Sequence, residues 1–326
     1  MTIGKFLSST GLIGILALAL WLIPTTSGAQ LLGANFPGDY GLESASQPPP
    51  GFWASALYLR YDGNKLLDAD GHSLAVDPKE RGQLDVNAIA LGGWYVTRAT
   101  LFGANYSFMV FANWSDNTLE SPILGLTNKT DAGFGDLYVQ PINLGWHKDN
   151  ADYIFGLGVT APTGRYSPDA DDNLGMGMWT FEISGGITQR FGGDKNWNFA
   201  ATAFLETHTE KEGTDQKVGN ILTIEGGLGR NFAFGGLNLG LAYFGQWKLS
   251  NDKLGMELDE ALEGYALGKN RGYGVGPEAV FAIAPKNKLI GTLSLRYLWE
   301  FGVRSNVQGS TFVATGAFPI PSMSLQ

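Results

Sequence analysis

The amino-acid sequence predicts an all-β fold, a transmembrane antiparallel β-barrel of about 12 strands of the bacterial outer-membrane type. Three observations predict it. Long segments alternate apolar and polar side chains, the connections between them alternate long and short, and the tryptophans fall near the segment ends. Such segments exceed the usual soluble strand of about five or six residues and match the roughly 9–11 residues of a tilted strand that crosses a bilayer.

The first element along the chain is an apolar N-terminal stretch. Lys5 supplies a positive charge, Leu12 to Ile23 an apolar run, and Ser27-Gly28-Ala29 a cleavage site of small residues. These features predict a secretory signal peptide over residues 1–29, with a retained anchor helix as the alternative. The chain has no cysteine. Lipid attachment at a new N-terminus is therefore excluded, and an exported protein without disulfides needs another source of stability, such as a closed sheet.

The second element, residues 30–51, precedes the first strand. It contains Pro37, Gly38 and three consecutive prolines, 48–50. Proline removes a backbone donor and breaks helices, so this segment cannot form a helix of any length. We expect it either to hang in the periplasm or to fold back into the barrel as a plug.

The barrel follows over residues 52–318, and residues 319–326 form a short C-terminal tail. The segment "GLNLGLAYFGQW" (236–247) shows the pattern, with Leu239 and Leu241 on one face and Asn238 on the other. The twelve predicted strands are 52–61, 84–96, 101–114, 134–147, 152–163, 178–191, 196–208, 219–230, 236–248, 271–283, 288–301 and 310–318.

The connections between these strands alternate in length. The long, polar connections are 62–83, 115–133, 164–177, 209–218, 249–270 and 302–309, and the short ones are 97–100, 148–151, 192–195, 231–235 and 284–287. Long external loops and tight periplasmic turns are typical of outer-membrane barrels, and an even strand count predicts both termini in the periplasm. The tryptophans fit two interfacial girdles, whereas a soluble β-sandwich, the alternative fold, would bury several of them at mid-strand. Those near short turns are Trp53, Trp94, Trp146 and Trp197, and those near long loops are Trp114, Trp179, Trp247 and Trp299.

Composition limits the partners of the protein. The net charge is −9, only 16% of residues are charged, and mean hydropathy is close to zero. An acidic chain is a poor ligand for phosphates, so we expect no nucleic acid partner. The expected partners are outer-membrane lipid and lipopolysaccharide, the barrel-assembly machinery and a small hydrophobic solute.

One stretch, "GVTAPTGRYSPDADDN" (158–173), looks at first like a ligand loop. A phosphate cradle would need a following lysine and a helix N-terminus, and neither is predicted here. The aspartates and Asn173 have oxygens that suit calcium, but their spacing fits no defined loop. A solvated external loop is the alternative we favour, and the same choice applies to Asp68-Ala69-Asp70-Gly71.

Several short motifs in order along the chain resemble a known family. They are "FPGDYGL" (36–42), "PPPGFW" (48–53), "GFGDLYVQPINLGW" (133–146), "VTAPTGRY" (159–166), "GYGVGPEAVF" (272–281) and "LRYLWEFGVRSNVQG" (295–309). Together they resemble outer-membrane proteins of the meta-cleavage pathway of phenol degradation, which are regarded as transporters of aromatic or other hydrophobic compounds. The resemblance implies passage of such compounds. Barrels of this type commonly end on an aromatic residue. Here Phe318 takes that place and eight residues follow it.

Apolar side chains on the predicted inner face are the first candidates for a solute path. Met109, Phe111, Phe204 and Phe244 interrupt a face that is otherwise small and polar, and Leu298 joins them. Paths for hydrophobic solutes are mainly apolar with few polar groups. The alternative is packing beneath a loop or plug. Counting back from the strand ends predicts that Met109, Phe111, Phe204 and Phe244 share a level in the outer half of the lumen.

Charged inner-face residues are the second set of candidates. Glu182, Glu206 and Glu225 lie on successive strands and predict an acidic patch near the outer mouth, and Arg296 is placed to face Glu278. Arg60 and Glu300 are further inner-face candidates. The alternative is a network that only neutralises buried charge. With the apolar side chains, the patch favours a neutral or cationic hydrophobic solute over an anion.

The sequence thus favours an outer-membrane channel or transporter for small hydrophobic, aromatic compounds. A barrel enzyme of lipase or protease type is the alternative, and a structural or adhesive barrel is another. An enzyme of that type needs a histidine beside a serine or an acid. The three histidines are His72, His147 and His208, and no serine is predicted at matching height beside His208. No catalytic residue, metal ligand or cofactor is therefore assigned.

Overall fold

The structure, a computed structural model, describes residues 31–73, 82–121, 126–170, 172–232, 236–254, 269–285 and 289–321. It is a closed antiparallel barrel of twelve strands, in which each strand pairs with its sequence neighbours and the first pairs with the last. The strands are β1 (Gly51–Leu67), β2 (Gln83–Leu101), β3 (Ala104–Ser121), β4 (Leu126–His147), β5 (Ala151–Ala161), β6 (Thr180–Phe191), β7 (Trp197–His208), β8 (Ile221–Phe232), β9 (Leu237–Lys248), β10 (Arg271–Ile283), β11 (Gly291–Arg304) and β12 (Asn306–Pro319). The predicted fold class and strand count are confirmed.

The outer face of the barrel carries large apolar side chains. On β2, Ile89 and Leu91 point outward, and on β9 Leu239 and Leu241 do so, while Asn238 is buried inside. A continuous apolar outer surface is what a lipid-facing barrel wall requires. Among the described residues, no helix has the length and apolar character that a membrane-spanning helix needs.

Two of the predicted girdle tryptophans face inward. Trp53 is buried, and both Trp53 and Trp94 line the interior cavity described below, where the Trp94 indole donates to Ser107 Oγ. The prediction that every tryptophan after the leader belongs to a lipid interface is therefore wrong for these two. Proximity to a strand end gives the level of a side chain but not its face.

Two external connections are much shorter than predicted. β3 and β4 stay paired to Ser121 and Leu126, so the predicted loop 115–133 reduces to residues 122–125, and β11 and β12 are joined by Ser305 alone, in place of 302–309. The ladder is made by backbone groups, so polar residues continue a strand in water as well as apolar ones do in lipid. A change to polar side chains marked the lipid boundary and not the end of the strand.

The N-terminal segment runs through the inside of the barrel. At the outer end, where β9 ends, Lys248 Nζ donates to the carbonyl of Leu31, and Leu31 packs against the cluster of Met178, Val218 and Ile221. At the inner, periplasmic end the segment enters β1 at Gly51. We call residues 31–50 the plug segment. Of the two alternatives for residues 30–51, the plug fits the described part of this segment, while an even strand count fixes only the side of the membrane on which β1 begins. The predicted signal peptide (1–29) and residues 322–326 of the tail lie outside the described residues.

Neighbouring residues on β2 allow a direct test of which face meets lipid. Leu91 is 59% exposed on the outer face near the middle of the strand, and Ala90 lines the interior cavity. An arginine at Leu91 must enter lipid, so Leu91→Arg should cost roughly 2–4 kcal/mol of folding free energy, and Ala90→Arg should cost much less. Folding into liposomes over a urea series measures both. Equal losses would contradict the assignment of the two faces.

Candidate functional site

Three buried glutamates of the barrel wall hold the plug segment. Their carboxylates accept backbone N–H groups at 2.8–3.0 Å. The donors are Ala34 and Asn35 for Glu206, Gly38 and Tyr40 for Glu225, and Leu42 for Glu278. An irregular segment has no ladder to satisfy its N–H groups, and a buried carboxylate needs donors, so each meets the requirement of the other.

These contacts change the interpretation of the acidic patch. Glu206 and Glu225 were expected to face solvent near the outer mouth, but both are at most 1% exposed and bind the plug segment. The expected open patch of three carboxylates is therefore absent from the described lumen, and only Glu182 of the three lines the cavity. The pattern of inner-face acids did not reveal that a chain segment would cover two of them.

Side chains of β3, β4 and β7 fix the lower part of the plug segment. Thr202 Oγ1 donates to Ser44 Oγ at 2.9 Å, and Gln47 Nε2 donates to Ser107 Oγ at 2.8 Å and to Asn143 Oδ1 at 3.0 Å. These polar contacts lie deep in the barrel, where water cannot replace them freely. They give the segment a single register along the lumen.

Glycines on β8 and β9 form the recess for Leu42 of the plug segment. Leu42 is fully buried, and a Cβ built at Gly227, Gly229 or Gly240 would lie 2.7 to 3.0 Å from its methyl groups. Any larger side chain at these positions would displace Leu42. The glycines of "EGGLG" (225–229) are thus a sequence signal for the plug that we did not recognise.

A cavity of about 900 Å³ remains beside the plug segment. It extends from Asn113 and Asp136 on the outer side to Trp53 and the prolines 48–50 on the periplasmic side, and its walls come from the plug segment, β1–β7 and β10–β12. The volume lies within the roughly 300–1,000 Å³ of typical small-molecule sites. The cavity is therefore the candidate functional site.

Three of the four predicted apolar residues line this cavity. Met109, Phe111 and Phe204 do so, and the Phe204 ring packs on Tyr40 of the plug segment with centroids 4.8 Å apart. Phe244 is inward-facing but is buried against Ala242 and Leu298, away from the cavity lining. The four side chains do not form a ring around an open lumen.

The predicted common level in the outer half is also wrong. Met109 is paired with Trp94, and Trp94 with Trp53, the third residue of β1, so Met109 lies in the periplasmic half. β3 continues to Ser121, and counting back from a presumed end at 114 placed Met109 too high.

The charged inner-face candidates differ in how many of their polar atoms have a hydrogen-bond partner. Arg296 Nη2 donates to Glu278 at 2.9 Å, as its position on the neighbouring strand predicted, and Nη1 donates to the carbonyl of Gly38. Glu300 accepts from Tyr61 and from the backbone N–H of Gly309. Glu182 accepts from Tyr138 Oη at 2.8 Å. Most of these charged side chains of the barrel wall therefore bond to other protein groups and stabilise the fold.

Arg60 is on the outer surface, and its assignment to the lumen is wrong. Its guanidinium pairs with Asp85 at 3.3 Å and is 43% exposed. The inner face of β1 carries Leu59 and Tyr61, which pack near Phe36 of the plug segment. An apolar inner face inverts the usual rule that the polar residues of a barrel strand face the lumen.

At the periplasmic end, Asp152 joins the wall to the plug segment. Its carboxylate accepts from Arg190 at 2.6 Å and from Ser46 at 2.8 Å, and lies 2.9 Å from His147 Nδ1. The plug segment also carries Asp39. Burial raises the pKa of Asp39 to about 6, and the positive charge of Arg296 opposes that rise. We did not single out these two acids from the sequence.

The external loop 162–179 contacts Asp136 at the outer side of the cavity. Asp136 accepts from the backbone N–H of Gly164 at 2.9 Å and of Met176 at 2.8 Å. Two of the motifs noted in the sequence, "GFGD" and "APTG", therefore meet at this carboxylate. Arg165 pairs with Asp172, and Asn173 bonds to Ser167.

The calcium alternative gains no support from this loop. Among the described residues, no group of three or more acidic, histidine or cysteine side chains is placed to hold a metal ion. Asp171 of this loop lies outside the described residues. At the first external loop, Asp68 accepts from the backbone N–H groups of Asp70 and His72 and so closes a turn.

The chain is similar to several solved structures, and the first of the two named here supports the fold. The COG4313 outer membrane channel from Pseudomonas putida F1 matches with a TM-score of 0.68 and 15% identity, over 88% of this chain and 100% of that chain. The beta domain of the Bordetella autotransporter BrkA matches with a TM-score of 0.46 and 16% identity, over 83% of this chain and 99% of that chain. Comparison with curated proteins returned no match.

A family model covers most of the barrel. The family is described as "Putative MetA-pathway of phenol degradation", and its model matches residues 63–315, which begin within β1 and end within β12. The match includes four of the motifs that carried the resemblance, among them the segment that places Asp136 and Tyr138 at the cavity. The chain belongs to this family of outer-membrane-type barrels.

Proposed function

We propose that the protein is an outer-membrane channel that carries small hydrophobic, aromatic solutes through the cavity beside the plug segment. The observation that carries the proposal is the cavity itself, which extends along the inside of a closed barrel and is lined by Met109, Phe111, Phe204, Trp53 and Trp94. An ion pore has no need of so many apolar side chains, whereas a hydrophobic solute gains free energy from leaving water for them. The family description and the channel fold of the Pseudomonas putida neighbour support this proposal.

Uptake by intact cells tests this function. Cells with and without the gene are supplied with labelled benzyl alcohol and with labelled glucose, a polar solute without an aromatic ring. We expect faster uptake of the aromatic when the protein is present and no change for the sugar. Equal uptake of the aromatic by the two strains would contradict the proposal.

The structure offers no support for the enzyme alternative at its best-placed polar cluster. Ser46 and His147 both bond to Asp152. In a hydrolase the serine hydroxyl bonds to the imidazole, which the acid orients. We propose that the protein acts without catalysis, and the long acidic loops leave an adhesive role as the second alternative.

We infer that residues 1–29 are a signal peptide and that lipopolysaccharide and the barrel-assembly machinery are the partners during insertion. The charge and apolar pattern of the leader support the signal peptide, and the barrel fold supports the two partners. The mature chain should then begin at Gln30, which intact-mass spectrometry of the outer-membrane fraction measures. A mature chain that retained Trp21 would contradict it.

A further inference from the structure

Inside the cavity, the plug segment and the wall bring aromatic rings and a carboxylate together. The Tyr40 and Phe204 rings pack at 4.8 Å between centroids, and Tyr138 donates to Glu182 Oε1 at 2.8 Å. All four residues line the same cavity. Glu182 is 8% exposed, so its carboxylate is largely removed from bulk water.

The charges that line the cavity are unequal in number. Acidic and basic residues both occur there. The acids are Asp39, Glu43, Asp136, Asp152, Glu182 and Glu278, and the bases are His147, Arg190 and Arg296. Each of the three bases is close to an acid: Arg190 and His147 to Asp152, and Arg296 to Glu278. The cavity therefore has an excess of carboxylates and, among the described residues, no base left over to receive an anion.

Glu182 is the carboxylate best placed to receive a ligand. Asp136 is occupied by two loop amides, and Glu43 bonds to Asn238 of β9. Asp39 already interacts with the positive charge of Arg296. Glu182 has a bond from Tyr138 to Oε1, and no described side chain or backbone group donates to Oε2. A buried carboxylate with an unused oxygen is stabilised by a donor, and a cationic donor stabilises it most.

We propose that Glu182, Tyr138, Tyr40 and Phe204 form a subsite for an organic cation, an ammonium group carried on an aromatic or other apolar body. The ammonium group binds Glu182 Oε2, and the apolar body lies against the rings of Tyr40 and Phe204. Aromatic faces add to the attraction for a cation because their negative quadrupole favours positive charge. The subsite rests on the proposed function, since it takes the cavity as the solute path.

An anion of the same shape is disfavoured at this position. A carboxylate there would lose its water and face Glu182 at short range, where the repulsion is much less screened than in bulk water. A neutral aromatic keeps the contacts with the rings but not the ion pair. The predicted order of affinity is cation, neutral, anion.

The test uses three probes that share one ring: benzylammonium, benzyl alcohol and benzoate. Their binding to the purified full-length protein in detergent is measured by calorimetry at pH 7.5. We expect benzylammonium to bind about tenfold or more tightly than benzoate, which corresponds to about 1.4 kcal/mol. Benzoate binding as tightly as benzylammonium would overturn the subsite.

Two isosteric variants locate the effect. Glu182→Gln keeps an acceptor for Tyr138 but removes the charge, so benzylammonium affinity should fall about tenfold while benzyl alcohol affinity changes less than about twofold. Glu300→Gln is the matched control, because Glu300 faces inward but does not line the cavity. Equal losses in the two variants, or equal losses for all three probes in Glu182→Gln, would overturn the subsite. Barrel folding is checked by the heat-modifiable migration of each variant on gels.

The binding experiment and the uptake experiment can contradict their proposals independently of each other. If benzyl alcohol uptake depends on the protein but no preference for the cation is found, the subsite is wrong and the channel stands. If benzylammonium binds at Glu182 but no solute uptake depends on the protein, the channel proposal is wrong and the cavity is a binding site alone.

Discussion

Deletion of residues 31–47 should raise the ion conductance of the barrel several-fold. The plug segment crosses the whole lumen, from the contact of Leu31 with Lys248 at the outer end to Gly51 at the periplasmic end. All twelve strand pairings are made by the wall alone, so the barrel closes without the segment. The glutamates that bind it would then be hydrated by the water that enters. Single-channel recording in planar bilayers measures the change.

A reversible lock provides the matched control for the deletion. Ser44 Oγ and Thr202 Oγ1 lie 2.9 Å apart, so cysteines at these two positions would bring their sulfur atoms close together, and the chain has no cysteine of its own. The double variant Ser44→Cys with Thr202→Cys should keep the low conductance of the parent when oxidised. Solute uptake should persist in the oxidised form, since the cavity lies beside the plug segment.

Either of two results would contradict this picture. If the deletion leaves conductance unchanged, the external loops and not the plug segment close the lumen. If oxidation of the locked variant abolishes uptake and a reductant restores it, the plug segment moves during transport and the cavity is not a fixed path.

The strand pattern could be predicted from the sequence because period-two alternation is a local property. Leu239 and Leu241 alternate with Asn238 whatever lies inside the barrel, and all twelve strands followed from that rule. The ends of the strands could not be predicted as well from the sequence. Residues 115–121 are polar, yet they continue β3 because the backbone ladder does not depend on side-chain polarity.

The contents of the lumen could not be predicted in the same way. The prolines excluded a helix in residues 30–51, but they carry no information about which side of the membrane the segment occupies. The plug-segment residues that cover Glu206 and Glu225 lie more than 170 positions away from them in the sequence. Such a contact between irregular backbone and a distant carboxylate has no periodicity, and the glycine recess for Leu42 was its best local signal.

Phe204→Ser should reduce uptake of neutral aromatic solutes strongly, whereas Phe244→Ser should leave it close to that of the parent. The two residues form a matched pair, because both face inward, both are at most 4% exposed, and both precede the end of their strand by four positions. They differ in their surroundings. Phe204 lines the cavity beside Tyr40, and Phe244 packs under Leu298 away from it.

The two variants should therefore separate transport from stability. Loss of the Phe204 ring removes apolar surface from the path while it widens the cavity, so ion conductance should stay equal or rise as aromatic uptake falls. Loss of the Phe244 ring leaves a void in a packed cluster, and it should cost roughly 3–5 kcal/mol of folding free energy, as large-to-small core substitutions do. Uptake of labelled benzyl alcohol and unfolding in urea measure the two effects. If Phe204→Ser carries the aromatic as fast as the parent, the ring serves only to pack the plug segment, because the solute then gains nothing from it.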